Sequence, residues 1–266
     1  IDSDYTFTTD IYEPIIVVAD NIVIDGAGHT LQGIGDGVGI SLDGRYNVTI
    51  KNVRITGFEH SIHLDHNSNY NVIEGNNASY NFVGISLPSS SNNIIINNIA
   101  SHNSHTGILL GDESSNNVVI NNVASYNQWG VRIGARSCGN VISGNTLVGN
   151  TEGITPHSRS YNNLVYHNNF VNNAVQASSW DSINVWDDGY PSGGNYWSDY
   201  NGVDTDGDGI GNTPYIINDY DQDNFPLMEP WSAPTMIKSL IRAVVYWELA
   251  GGTERCLTSK LEDTIH

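Results

Sequence analysis

The sequence predicts an all-β parallel β-helix, on the strength of two in-phase repeats and one column of corner residues. The pairs Asn47-Val48, Asn71-Val72, Asn93-Ile94, Asn117-Val118, Asn140-Val141 and Asn163-Leu164 recur at offsets of 24, 22, 24, 23 and 23 residues. In step with them, a small residue precedes an aliphatic one at Gly39-Ile40, Ser61-Ile62, Gly84-Ile85, Gly107-Ile108, Gly130-Val131 and Gly153-Ile154. Asn81, Asn103, Asn127, Asn150 and Asn173 form a third column and mark the corner between strands. Repeats this short, with no helical period and no Leu-x-x-Leu-x-Leu frame, describe a solenoid of stacked parallel strands.

The coils come first along the chain, over residues 1–185, with recognisable repeats from Asn21 to about Val185. Successive coils stack at about 4.8 Å, so residues one period apart lie above one another. Side chains alternate along a strand. The column Ile40, Ile62, Ile85, Ile108, Val131, Ile154 is therefore expected inside, joined by Leu42, Leu64, Leu87, Leu110 and Ile133 two residues on. The Asn columns read as amide ladders, each amide donating to the next. Pro88 and Pro156 fall at expected turns, as they must where every strand N–H is needed for pairing. About seven coils give a rod roughly 34 Å long.

Composition narrows the class of partner. The 266 residues carry a net charge of −19 with only 10 Lys and Arg, so nucleic acid or an anionic membrane surface would be repelled. No apolar run reaches the 18 or so residues of a membrane span, and Ile1 to Asp10 lack a signal-peptide pattern. Cys138 and Cys256 are too few for a disulfide framework, and their pairing stays open. Asn47-Val48-Thr49 and Asn77-Ala78-Ser79 have the form of glycosylation acceptors.

Residues 186–232 read as an irregular, acidic, aromatic-rich cap. Within it Asp204, Asp206 and Asp208 alternate, Gly209 permits a sharp turn, and the Ile210 carbonyl and Asn212 follow. Hard oxygen ligands at this spacing match the first half of an EF-hand-type loop and point to a structural Ca²⁺ ion. The twelfth position is Tyr215, so the bidentate Glu is missing, and Asn212 or Asp219, Asp221 and Asp223 would have to complete the site. Residues 233–266 carry a helical stripe at Met236, Ile237, Leu240, Ile241, Val244, Val245 and Leu249, broken by Gly251-Gly252. A short α-helical tail is expected there, either docked on the end of the rod or the beginning of a longer helical module.

The coil pattern, the opening Ala19-Asp20-Asn21-Ile22-Val23-Ile24-Asp25-Gly26-Ala27-Gly28 and the block Gly194-Asn195-Tyr196-Trp197-Ser198-Asp199-Tyr200 through Pro226-Leu227-Met228 resemble the NosD-like β-helix proteins secreted by many archaea. The tail Leu257-Thr258-Ser259-Lys260-Leu261-Glu262-Asp263 is similar to the start of the helical module that often follows them. The resemblance implies an exported, right-handed β-helix of the carbohydrate-binding and sugar-hydrolase type, outside the cell or at its surface, and no particular reaction. Copper carries over poorly: the chain has two Met and two Cys, and His60, His63 and His66 are expected on different faces.

Three readings of function follow. As a glycan-interacting surface protein, the chain would offer polysaccharide an outward column of Tyr80, His102 and Tyr126 and a strand face bearing His63, Ser86, Leu109, Arg132 and Thr155. The candidate glycan-binding residues are thus Tyr80, His102, Tyr126, His63 and Arg132. As an enzyme it would need either a carboxyl pair for hydrolysis or a base and a cation for elimination from a uronate. Glu59, Asp65, Glu74, Glu113 and Glu152 share no obvious face, while Lys51, Arg54, Arg132, Arg136 and Arg159 could supply the cation. A purely structural rod that spaces or self-associates end to end is the third reading.

Overall fold

The computed structural model describes residues 1–232, and they form a right-handed, single-stranded parallel β-helix of about 8 turns with no helix. The expected tail and Cys256 lie outside the described residues. Three parallel sheets run along the rod. Sheet I has nine strands, from Tyr5–Thr6 to Ile183–Val185, and sheet II has eight, from Ile15–Val17 to Val175–Ala177. Sheet III begins with Thr30–Gln32 and Arg54–Thr56, continues through single bridges at Asn77 and Ile99, and ends with four strands from Val123–Ser125 to Tyr196–Trp197. Each coil visits sheets I, III and II in turn.

The register agrees with the expected columns. Ile40, Ile62, Ile85, Ile108, Val131 and Ile154 are successive partners in sheet II. They and Leu42, Leu64, Leu87, Leu110 and Ile133 are wholly buried. Sheet I adds Ile24, Ile50, Ile73, Ile95, Val119, Ile142 and Val165. The inward column of sheet III is narrow at Ala78, Ala100 and Ala124, then widens through Leu147 and Phe170 to Trp197. Phe170 and Trp197 stack at 4.3 Å, and Tyr215 of the cap stacks on Trp197 at 4.2 Å. The core thus ends in a column of aromatic rings.

The opening coil lies within the expected 1–185 but before the Asn repeats, and its strands Tyr5–Thr6 and Ile15–Val17 pair with the next turn. Two differences from the sequence reading have physical causes. Asn47 stands one residue out of the ladder, because Thr49 pairs with Val72 and places Val48 opposite Asn71. At φ 53° Asn47 takes a left-handed corner conformation and donates to Asn21 Oδ1. A further ladder, Asn76, Asn98, Asn122, Asn145, Asn168 and Asn195, occupies the corner between sheets I and III, so the five coils from Asn71 to Asn173 carry an Asn at all three corners, where the coil before them has Val48, Val53 and Phe58.

The ladders work through the backbone as well as through amide-to-amide contact. In the Asn81 ladder, each Asn backbone N–H donates to the Oδ1 of the next coil's Asn at 2.9 Å, from Asn81 to Asn173. Corner N–H groups that face no strand would otherwise be buried without partners. A column of wholly buried serines, Ser68, Ser90, Ser114, Ser137 and Ser160, does the same for carbonyls: Ser90 Oγ donates to Leu64 O and Ser137 Oγ to Gly111 O. The cap then terminates the columns. Asn184, which accepts from the Asn163 N–H at the end of the Asn71 ladder, donates its own N–H to Asp221 Oδ1 at 2.8 Å, and Asn195, last of the Asn76 ladder, donates to Asp223 Oδ2 at 2.7 Å.

Candidate functional site

The small residue at the start of each sheet II strand decides which side chains reach the surface. A Cβ on Gly84, Gly107 or Gly130 would lie 2.5, 2.7 or 2.6 Å from a carbonyl oxygen of the next coil. The position therefore turns inward, and the residue before it is partly exposed at His60, Trp129 and Glu152, while Val83 and Thr106 stay covered. Strict alternation from Ile62 and Val131 would bury His60 and Trp129. Instead both are partly exposed, with Glu152 in the same column.

Two clusters form on this outward face of sheet II. In the first, Ser86 Oγ lies 2.9 Å from His60 Nδ1 and 2.6 Å from His63 Nδ1, and the two rings are 4.8 Å apart. His60 and His63 thus share a face, against expectation, because the inward turn at Ser61 brings the two onto one side. His66 lies apart at the corner, with Nδ1 2.9 Å from Asp43. Burial holds His60 below the usual imidazole value, helped by His63. Burial likewise lowers His63 despite Asp65, whose carboxylate is 3.8 Å away. Both shifts favour the neutral rings.

The second cluster is aromatic and cationic. His105 stacks on Phe82 at 4.6 Å and meets the Trp129 ring edge-on at 4.6 Å, while the Arg132 guanidinium sits 4.8 Å over Trp129. Burial, then the charge of Arg132, lowers the His105 pKa. Its Nδ1 is 2.9 Å from Thr106 Oγ1. One coil further, Glu152 Oε2 accepts from Thr155 Oγ1 at 2.9 Å and Ser178 Oγ at 2.5 Å. His63 and Arg132 share a column with Ser86 and Leu109 between them, so they are about 14 Å apart. The sequence points to His63 and Arg132, but His60, Phe82, Trp129 and Ser178 escape it; the column of small residues was the signal that could have found them.

Tyr80, His102 and Tyr126 form a ridge at the corner beside this face. The rings are separated by 5.1 and 4.9 Å, tilted by 16° and 32°. Each residue is in the left-handed conformation, at φ 63°, 55° and 56°, a position that Gly57 and Gly149 fill in the neighbouring coils. That conformation costs about 1–2 kcal/mol for an L-residue, which ring stacking helps offset. The ring faces are largely turned on one another, and the ridge presents ring edges and tyrosine hydroxyls to solvent.

In the cap, carboxylate oxygens of Asp204, Asp206 and Asp208 lie within 4.8 Å of one another. Burial raises the Asp204 pKa, but N–H donation from Gly209, Gly207 and Asp208, with a bond to Asp206, leaves it net lowered. Ile210 is buried and bridges Leu227. Asn212 Oδ1 accepts from the Thr205 N–H and hydroxyl at 2.6 and 2.8 Å, which braces the loop. Asp221 and Asp223 terminate the Asn ladders, and Asp219 lies in the cap hairpin beside Tyr220.

Similar folds occur among solved structures. The periplasmic alginate epimerase AlgG is 21% identical, with a TM-score of 0.56 over 73% of this chain and 48% of that one. The Azotobacter vinelandii mannuronan C-5 epimerase AlgE6 A-module is 18% identical, with a TM-score of 0.51 over 68% and 52%. An alginate lyase from Paenibacillus sp. str. FPU-7 is 16% identical, with a TM-score of 0.52 over 68% and 73%. At these identities the likeness is one of fold, and the chain spans about half the length of the epimerases. No curated protein matches. No helix among the described residues is long and apolar enough to cross a membrane.

Residues 11–202 match the family described as periplasmic copper-binding protein (NosD). Copper is best served by imidazole, thiolate and thioether ligands. Among the described residues, the group of three acidic, His or Cys side chains with ligand atoms close enough to share an ion is Asp204, Asp206 and Asp208. That oxygen set suits Ca²⁺ and not copper, and His60 and His63 supply only two imidazoles, with their Nδ1 atoms turned onto Ser86. The family match nevertheless spans most of the β-helix and well over half of the sequence, and on it the chain belongs to the NosD family.

Proposed function

We propose that this protein binds an extended polysaccharide along the outward face of sheet II, outside the cytoplasm. The observation that carries this reading is the Phe82, His105, Trp129 and Arg132 cluster on a strand face otherwise rich in hydroxyls. Trp129 and His105 provide apolar surface for a sugar ring, and Arg132 and Ser178 provide hydrogen bonds. His63 extends the track, and the edges and hydroxyls of Tyr80, His102 and Tyr126 form its flank. The fold likeness to alginate-acting β-helices and the periplasmic description of the family support a glycan and an exported location. Retention on a panel of immobilised polysaccharides tests it: Trp129→Ala and Arg132→Ala should each weaken binding to whichever glycan is retained. Unchanged retention in both variants would sink the assignment.

A second reading is favoured by the pairing of a neutral imidazole with a cation. If the glycan is a uronate, Arg132 neutralises its carboxylate while His105 Nε2 takes the proton on the adjacent carbon. The C4–O bond then breaks and His105 returns that proton to the leaving oxygen, leaving an unsaturated sugar end. New unsaturated ends, lost in His105→Ala, test this.

We further propose that Asp204, Asp206 and Asp208, with the Ile210 carbonyl, hold a structural Ca²⁺ ion. Asn212 acts there by bracing Thr205. Three carboxylates this close repel one another without a cation, and the donors are all hard oxygen.

A further inference from the structure

The last turn of the rod and the cap hairpin enclose a cleft of about 560 Å³ at the C-terminal end of the coils. Tyr161 and Trp180 line its coil side, and Asp219 and Tyr220 its cap side. Trp180 and Tyr220 are 62% and 78% exposed, which leaves both rings open to a ligand in the cleft. His157 backs the Trp180 ring at 4.9 Å. The walls are tied together: Asn218 Nδ2 donates to Ser179 O at 2.9 Å, and Asn218 Oδ1 accepts from the N–H groups of Tyr220 and Asp221 at 2.7 and 2.9 Å. The cleft is thus pre-formed, and its size is that of a small-ligand site.

Its charge restricts the ligand. Asp181 and Asp219 place carboxylates at the cleft, and the one ion pair here is a loose contact of 3.9 Å between Asp181 and Arg159. We propose that this cleft binds a short neutral oligosaccharide, independently of the sheet II face. The C–H faces of the sugar rings lie against Trp180 and Tyr220, and ring hydroxyls donate to the Asp181 and Asp219 carboxylates, bonds strengthened by the acceptor's charge. A uronate would meet two carboxylates and be rejected.

Titration calorimetry with cellotetraose, mannotetraose, tetragalacturonate and choline tests the assignment. At least one neutral tetrasaccharide should bind, tetragalacturonate should not, and Trp180→Ala and Asp219→Asn should each weaken binding at least tenfold. Both positions are exposed, so melting temperatures should match the parent. Trp129→Ala should leave this binding intact, which separates the cleft from the sheet II site. Absence of binding by both neutral sugars, or unchanged affinity in Trp180→Ala and Asp219→Asn, overturns the proposal. Choline bound without sugar would make the cleft a cation cage, and tetragalacturonate bound as well as the neutral sugars would remove the charge argument; either result also overturns it.

Discussion

Asn122→Ala tests whether the corner ladders hold the rod together. The Asn122 Nδ2 donates to Ile95 O at 2.8 Å, Ile120 O at 3.0 Å and Asn145 Oδ1 at 3.0 Å. Its Oδ1 accepts from the Asn98 N–H at 2.9 Å and the Asn98 Nδ2 at 3.0 Å. Removing the amide leaves the Asn98 N–H and the Ile95 carbonyl, both inside the rod, without these partners. Each such orphan costs about 1–3 kcal/mol, so the variant with two of them should lose about 2–6 kcal/mol. Asn122→Asp is a sharper probe. It keeps the acceptor for Asn98 but turns a buried carboxylate toward two carbonyl oxygens, so it should be at least as destabilising at neutral pH. Asn121→Ala is the control: Asn121 is exposed, and Ala there pays chiefly the left-handed φ of 56°, about 1–2 kcal/mol. Urea denaturation ranks the three, and hydrogen exchange reads the site directly. The Asn98 amide should lose protection in Asn122→Ala while amides several coils away keep theirs, because coils couple mainly to their neighbours. If Asn122→Ala costs no more than Asn121→Ala and Asn98 remains protected, the ladder argument is wrong.

Other predictions concern the core, the cap and pH. Ile108→Ala should cost about 2–5 kcal/mol as a buried cavity, whereas Leu109→Ala, on the outward face, should cost far less; equal midpoint shifts in urea would contradict the inward column. Chelator should lower the melting temperature and raise hydrogen exchange across residues 193–228 without exposing the central coils, and a melting curve indifferent to chelator would remove the Ca²⁺ proposal. Burial pushes Asp223 up to about 7, against the pull of N–H donors from Asn195, Trp197 and Phe225. The stabilisation from its protonated form is complete below pH 3.8, its unfolded value, and is lost as pH rises through about 7. Asp223→Asn should therefore flatten the pH dependence of cap stability between those limits, and an unchanged slope would count against it. Asp204 works in the opposite direction, because its lowered pKa gives stability that is lost only as pH falls below the ordinary carboxylate range.

By itself the sequence determined the solenoid, its period, the inward columns and two of the three Asn ladders. Stacking at strand spacing turns a sequence period into a spatial column, so Ile62 and Ile85 could be aligned without coordinates. The ladder of Asn76, Asn98 and Asn122 could be read by the same arithmetic, but so many Asn in one chain hid it among the others. The alternating Asp204, Asp206 and Asp208 are likewise legible, since neighbours in a tight loop converge through local backbone geometry alone.

Tertiary structure decided what local rules cannot reach. Trp129 and His60 face outward because Gly130 and Ser61 turn in against the next coil, which breaks the alternation that a strand pattern assumes. His60 and His63 thereby converge on Ser86 from another coil, and burial favours their neutral forms. Asp221 and Asp223 look like further metal ligands in sequence, yet the cap folds back over distances of 37 and 28 residues to end two Asn columns. A buried N–H at the end of a ladder has no next coil to receive it, and a carboxylate from a distant loop is the partner that makes the end of the rod stable.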